Sequence, residues 1–475
     1  MDGSVQAVPI VILVVYMLMM FSIGYLTNKF MIKTSTDYML AGRRMGILMI
    51  ACSLSANNVG GGSTTGVAQK AFSGWGIAAS WYVLAAAVAM IPLSYFAPKI
   101  RKTMAVTIPE VVNRRFGNFA GTFTAILNVL SLFCLTASQI LASASVISSI
   151  VGIPLNVCIL ISGIIVITYT TFGGMLADAI ADIVQFFIIF FGLLISLPFI
   201  INGAGGWQAV SQALPPIEFD MFKIGIPTVL GLIFNYFCTF LSGPEMVSRF
   251  SSAEDEKAAR KASILSAIFM AMLAFIPTLI GLVSLAENPG LDGGNGTSAL
   301  MYATQNYAPP FITGLVAAAI VAATMSSADS NLLCASTILV KDIYQHYINP
   351  NIEDKKLIFV TRLSNVIICM VSMGIALFNI SLVTLNLFAF ALRTAGPFAA
   401  YALGMVVPSA TKNAGIVSII VGSVTVITWQ LLGAPYGILP IVFGCFWGVV
   451  SFFLVTFIEK NMGKPSAPSA FQEQI

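Results

Sequence analysis

The chain has 475 residues, of which 58% are hydrophobic and only 9% charged, far below the roughly 25% charge of a soluble domain. Its net charge of +4 is small and gives nucleic-acid binding no support. One histidine and seven cysteines without a CxxC pair exclude hydrolase triads and zinc centres.

Apolar runs of about 20 residues recur along the whole length, as in a polytopic all-α membrane protein. About thirteen transmembrane helices are expected, centred near residues 18, 58, 86, 133, 163, 187, 236, 272, 326, 368, 393, 422 and 447. The first follows Asp2 with no basic residue before it, so it lacks the cationic start of a signal peptide and is expected to remain in the mature protein. With the N-terminus outside, twenty of the 23 cations fall in cytoplasmic segments. These run from Lys29 to Arg44, Lys99 to Arg115, Arg249 to Lys261 and Lys341 to Arg362, with Lys412 and Lys460 to Lys464. Lys70 and Lys223 lie outside and Arg393 within a span. That asymmetry sets the orientation and puts the C-terminus in the cytoplasm of a cell (plasma) membrane protein.

The second span is interrupted by Ser53-Leu54-Ser55-Ala56-Asn57-Asn58-Val59-Gly60-Gly61-Gly62-Ser63-Thr64-Thr65-Gly66, where three glycines let the helix unwind and expose carbonyls. The seventh is broken at Ser242-Gly243-Pro244-Glu245, since proline removes a helical hydrogen bond. The two broken spans are five apart. They open the halves of an inverted five-plus-five repeat, the sequence sign of a secondary transporter. One transporter domain is expected over 1–462. Its core repeat helices cover about 46–200 and 225–406, with extra helices at about 8–28, 413–432 and 436–458, and a disordered tail at 463–475. The outer loops Asn202 to Gly225 and Glu287 to Pro310 hold at most short helices, and Asn295-Gly296-Thr297 is a formal glycosylation sequon. The cysteines read as small buried hydrophobes and His346 as a surface residue.

The ninth span carries Thr324-Met325-Ser326-Ser327-Ala328-Asp329-Ser330 inside an apolar stretch, which hydrocarbon tolerates only against a partner or an aqueous cavity. Unwound carbonyls near Ala56 and Val59, the Ala323 carbonyl, and the Ser326 and Ser327 hydroxyls supply five oxygens. An uncharged five-oxygen set favours a monovalent ion such as Na⁺. Packing serines are the alternative reading.

The pattern resembles the sodium:solute symporter family. Gly173-Gly174-Met175, followed by Asp182 and Gln185, is similar to its GGM…D-x-x-Q signature. Pro244-Glu245-Met246-Val247-Ser248-Arg249-Phe250, with Ala253-Glu254-Asp255-Glu256-Lys257, resembles its P-H-x-x-x-R-F and A-x-D-E-K loop, and Met325-Ser326-Ser327 its M-S-S/T motif. The resemblance covers nearly the whole chain and is nearest in motif to the choline-transporter and proline-symporter branches. It implies a leucine-transporter-type fold and a sodium-coupled symporter importing a small organic solute by alternating access, with Na⁺ as coupling ion and no other cofactor. It implies a main sodium site at Ala56, Val59, Ala323, Ser326 and Ser327, and a second ion or proton site at Asp182, Asp329 and Ser330. Helical rise puts Asp182 and Asp329 at similar depth in the inner half.

The solute pocket is expected to be lined by Asn57, Asn58, Gly61 and Ser63 from the first break, faced by Gln139, Tyr236, Phe390 and Arg393. Arg393 has no neighbour of opposite charge in sequence, and its planar guanidinium suits a carboxylate-bearing solute or an acidic residue on another helix. A quaternary amine wants an aromatic cage, and Asn58 stands where the choline branch has a tryptophan. Glu245, four residues before Arg249, is expected to pair with it on one helix face. A proton-coupled symporter, a uniporter or channel of the same fold, and a solute-sensing receptor are the alternatives.

Overall fold

In the computed structural model, residues 7–291, 298–378, 382–433, 435 and 439–471 are described. The sequon at Asn295 and the acidic Asp2 lie outside them. Among the described residues the chain is helical throughout, with one isolated backbone bridge between Met45 and Ala253. Among the described residues nine helical stretches are long and apolar enough to cross a bilayer, and a tenth is made by Ile226–Leu241 and Pro244–Ser251, which meet at 56°. The bend sits at Ser242-Gly243, just before the proline that cannot continue the helical bonding pattern.

The 49-residue stretch Leu155–Gly203 is really two helices. At about 1.5 Å per residue it is twice as long as a bilayer requires. It folds back at Gly174, whose φ of 58° and ψ of −166° are closed to other residues. The glycine also abuts the Tyr38 carbonyl, which a Cβ would approach to 2.7 Å.

Pro310–Ile338 is the central element. Nearly every residue along it is buried, as expected of a helix with no lipid-facing side. Asn118–Val151, Leu155–Gly203, Ala7–Met31 and Ile47–Asn58 surround it. Its small residues Ala317, Ala318, Ala319, Ala322 and Ala323 let neighbouring backbones come close. The peripheral helices instead expose large apolar residues such as Val11, Leu18, Phe453 and Phe457, a surface suited to lipid.

The cation-rich segments gather at one end of the bundle. Arg43 donates to the carbonyls of Ser251 (3.0 Å) and Met104 (2.8 Å), and Arg101 to that of Ala253 (2.6 Å). The segment expected to be a disordered tail is docked here over 463–471. Arg115 reaches the Pro468 carbonyl at 2.7 Å, the Ala467 amide donates to Ala410 at 2.7 Å, and Ala470 is buried. Its polar composition hides the fact that backbone carbonyls, which composition does not report, are what an arginine-rich face binds. The loops expected to lie outside contain only the short helices Trp207–Ala213, Pro216–Phe219 and Ala299–Tyr307 among the described residues. All seven cysteines are unpaired and His346 is exposed.

Gly174→Ala should therefore cost about 1–3 kcal/mol from backbone strain alone. A lowered melting temperature of the detergent-solubilised protein is the expected readout. An unchanged one would mean that the kink does not depend on the glycine.

Candidate functional site

The helix Ile47–Asn58 stops where the glycines begin. Its last regular bond runs from the Val59 amide to the Ser55 carbonyl at 2.9 Å, and helix resumes at Thr65. Among the described residues no backbone N–H donates to the carbonyls of Ala56 or Val59, so both keep free lone pairs in a buried place. The Asn57 carbonyl accepts from the Ser327 hydroxyl at 2.7 Å, and the same hydroxyl lies 3.2 Å from the Ala323 carbonyl. This contact joins the break to the central helix. Gly60 permits it, since a Cβ there would stand 2.6 Å from Ser327 Oγ. All five residues expected at the main sodium site lie on these two elements and are buried.

Ser326 points the other way, donating to Asp182, which also accepts from Ser53. A hydroxyl that gives its proton to a carboxylate turns its lone pairs elsewhere and becomes a better cation ligand. Asp182 belongs to a buried charge cluster. Arg249 Nη2 lies 2.9 Å from Asp182, 3.0 Å from Asp178 and 2.5 Å from the Ser330 hydroxyl, while its Nε donates to Ser53 at 2.6 Å. Ser330 is also 3.1 Å from Asp178. Asp329 lies beside it, accepting from Tyr169 and from the Ser330 amide at 2.8 Å. Gln185 is tied to Tyr16 at 2.9 Å.

Three of these residues, Tyr16, Asp178 and Tyr169, have no role in the sequence reading. Asp178 precedes Asp182 by four residues, which places both carboxylates on one helix face, and two acids on one intramembrane face require a counter-charge. That spacing was the available signal. Tyr169 has none, because it lies across the Gly174 bend.

The expected Glu245–Arg249 pair does not form. Arg249 Nη1 reaches only the main-chain carbonyl of Glu245 at 3.0 Å, and the Glu245 carboxylate pairs instead with Arg393 at 2.6 Å. The four-residue spacing governs helix surfaces bathed in water. In a buried site the guanidinium goes where two carboxylates already sit, leaving Glu245 to the other buried cation.

Next to the cluster, sharing the Ser327–Asn331 stretch of the central helix, lies a cavity of about 70 Å³. At roughly 10–15 Å³ per water it holds about five waters, the scale of a compact solute. Asn57, Asn58, Ser63, Gln139, Tyr236, Phe390 and Arg393 line it, as the sequence led one to expect. Gly61, also expected there, is not among the lining residues, because its amide turns to donate to Gln139 Oε1 at 3.2 Å while its neighbours Gly60 and Gly62 face the cavity. Tyr82, Glu245, Asn331 and Asn386 also line it and were not anticipated. Tyr82 and Tyr236 meet edge to face at 5.6 Å, and the Arg393 guanidinium lies 5.0 Å from the Phe390 ring.

Removing the shared cation strands two buried carboxylates, so Arg249→Gln should destabilise the protein by about 3–5 kcal/mol. Tyr169→Phe removes one partner of Asp329 and should cost about 1–3 kcal/mol. Thermal denaturation of the two purified variants should rank them in that order, and the reverse order would show that Arg249 is not the keystone of the cluster.

Comparison with known proteins gives a consistent picture. The family model described as the sodium:solute symporter family matches residues 38–422. The chain is 28% identical over 461 residues to the high-affinity proline transporter of Bacillus subtilis, covering 93% of this chain and 96% of that one. It is 27% identical over 487 residues to the sodium/proline symporter of Escherichia coli, covering 97% and 94%. The solved substrate-bound, outward-open structure of a Na⁺-coupled sialic acid symporter superposes with a TM-score of 0.83 at 22% identity, covering 97% and 98% of the two chains.

Proposed function

Because this chain belongs to the sodium:solute symporter family, and is a sodium-coupled symporter of a small organic solute rather than an enzyme, we propose how its residues divide that work. The main sodium site consists of the carbonyls of Ala56, Val59 and Ala323 with the hydroxyls of Ser326 and Ser327. The observation that carries this is the Ser327 hydroxyl, 2.7 Å from the Asn57 carbonyl at a helix break whose adjoining carbonyls are free. Sodium there ties the break to the central helix and stabilises one arrangement of the two, so sodium and solute raise each other's affinity. Inward release breaks the tie.

Asp182, Asp329 and Ser330 form the second cation or proton site. Asp178 and Asp182 share the guanidinium of Arg249, while Asp329 lies beside them on Tyr169 and the Ser330 amide, so three buried carboxylates gather with one guanidinium among them. A buried excess of negative charge favours taking up a cation or a proton. The solute carries a carboxylate, bound at Arg393 and enclosed by Asn57, Asn58, Ser63, Gln139, Tyr236 and Phe390, with the Gly61 amide holding Gln139 in place. Proline and sialic acid, named for the relatives above, both bear that group.

The leucine-transporter-type fold has thirteen spans in this chain, with an inverted five-plus-five repeat within a single domain over 1–462. Counting each side of Gly174 as one span, and each broken helix as one, supports that number. The packing of Trp81–Lys102 on Glu256–Leu273, and of Asn118–Val151 on Pro310–Ile338, supports a twofold relation between the halves. The N-terminus faces outward and the C-terminus the cytoplasm at the plasma membrane, a reading supported by the clustered cationic segments.

Uptake into proteoliposomes tests the ion sites. Ser327→Ala should raise the half-saturating sodium concentration about tenfold or more, as loss of a charge-assisted contact implies. An unchanged sodium dependence would sink the assignment. Asp329→Asn, assayed at two pH values in sodium and in choline buffer, identifies the second ion. A second sodium gives a sodium Hill coefficient above one that the variant lowers to one, whereas a proton gives a pH dependence that the variant abolishes.

A further inference from the structure

We propose that the transported solute is a zwitterion that opens the Glu245–Arg393 ion pair, its carboxylate taking Arg393 and its ammonium taking Glu245. This rests on the carboxylate reading above and adds the second charge. Both side chains line the cavity, both are buried, and they hold each other at 2.6 Å. Among the described residues no other charged side chain lines it, so its walls sum to zero charge.

The cavity also holds donors with nothing to donate to. Arg393 Nε and Asn57 Nδ2 are buried without a hydrogen-bond partner among the described residues, and both residues face the cavity. Buried donors left unsatisfied are costly, and their natural complement is an anionic acceptor with two oxygens. A carboxylate fits them.

That same carboxylate cannot enter alone. If it takes Arg393 from Glu245, the Glu245 carboxylate is left buried and unpaired, a penalty larger than the stabilisation at Arg393. An amine that takes Glu245 strands Arg393 in the same way. A solute bearing both groups exchanges one ion pair for two charge-assisted contacts and leaves no charge uncompensated. The pair thus selects for zero net charge with two separated poles. In chemical class the solute is an amino acid with a primary or secondary ammonium, compact enough for a cavity of about 70 Å³.

The test is equilibrium binding to the purified full-length protein in saturating sodium, read by ligand-induced thermal shift and calorimetry. The probes are small amino acids, their deamino carboxylates and their decarboxylated amines, matched in carbon skeleton. The amino acids should bind, and both single-charge analogues should bind at least about thirtyfold more weakly, as expected when a buried charge loses its partner. Glu245→Gln should weaken the amino acids by a similar factor while the deamino carboxylates bind as well as before or better, an exchange of preference that a purely structural role would not produce. Arg393→Gln should weaken both carboxylate-bearing series.

Deamino carboxylates binding the unaltered protein as tightly as the amino acids would overturn the inference, as would Glu245→Gln weakening both series equally. In those cases an effect of Arg393→Gln still upholds the carboxylate reading. Amino-acid binding indifferent to Arg393→Gln would overturn both. Should Glu245→Gln fail to fold, the ligand series on the unaltered protein decides by itself.

Discussion

Backbone polar groups inside a bilayer must find partners within the protein, because hydrocarbon offers none. A helix can therefore be broken at mid-depth only where something else is built to receive its freed groups. Here that receiver is the central helix Pro310–Ile338, buried nearly throughout. Ser327 takes the Asn57 carbonyl, and Gln139 from a neighbouring helix holds the Gly61 amide. The carbonyls left over are the ones that a cation can use. The proposed binding chemistry thus follows from an incomplete repair of a helix break.

The same helix serves three environments within two turns. Ser327 faces the break, Ser326 and Ser330 face the charge cluster, and Asn331 faces the cavity. Ser326 links two of these, since its proton is committed to Asp182 while its lone pairs remain available. At the proposed main sodium site, a change in the charge state of the Asp178–Asp182–Arg249 group would therefore be felt through one hydroxyl. Coupling through so short a connection requires no extended pathway, only that both sites bias the same side chain.

The sequence carried most of this in signals of two kinds. Breaks in apolar periodicity located both discontinuous helices, and a polar run in an apolar span located the stretch of the central helix that meets the break and the charge cluster. Polar residues at those breaks also accounted for much of the cavity wall. What sequence spacing could not supply was partner choice across helices. Glu245 and Arg249 satisfy a local rule, yet the stronger demand of Asp178 and Asp182 draws the guanidinium away. Tyr169 reaches Asp329 only because Gly174 reverses the chain. The docking of the segment near Pro468 and Ala470 depends on backbone acceptors that composition does not reveal. Local sequence reads the elements, and long-range charge compensation decides their contacts.

The neutrality of the Glu245–Arg393 pair has an electrical consequence. Charges fixed to the protein move with it in both directions and contribute nothing over a full cycle. If the solute has zero net charge and the sodium site is the proposed set of neutral oxygens, the only charge carried inward by that site is the ion's own. Each sodium then gains about 2.3 kcal/mol per 100 mV of membrane potential, on top of its concentration gradient. Such a carrier generates current, and the voltage across the membrane would help to set how far the solute can be concentrated.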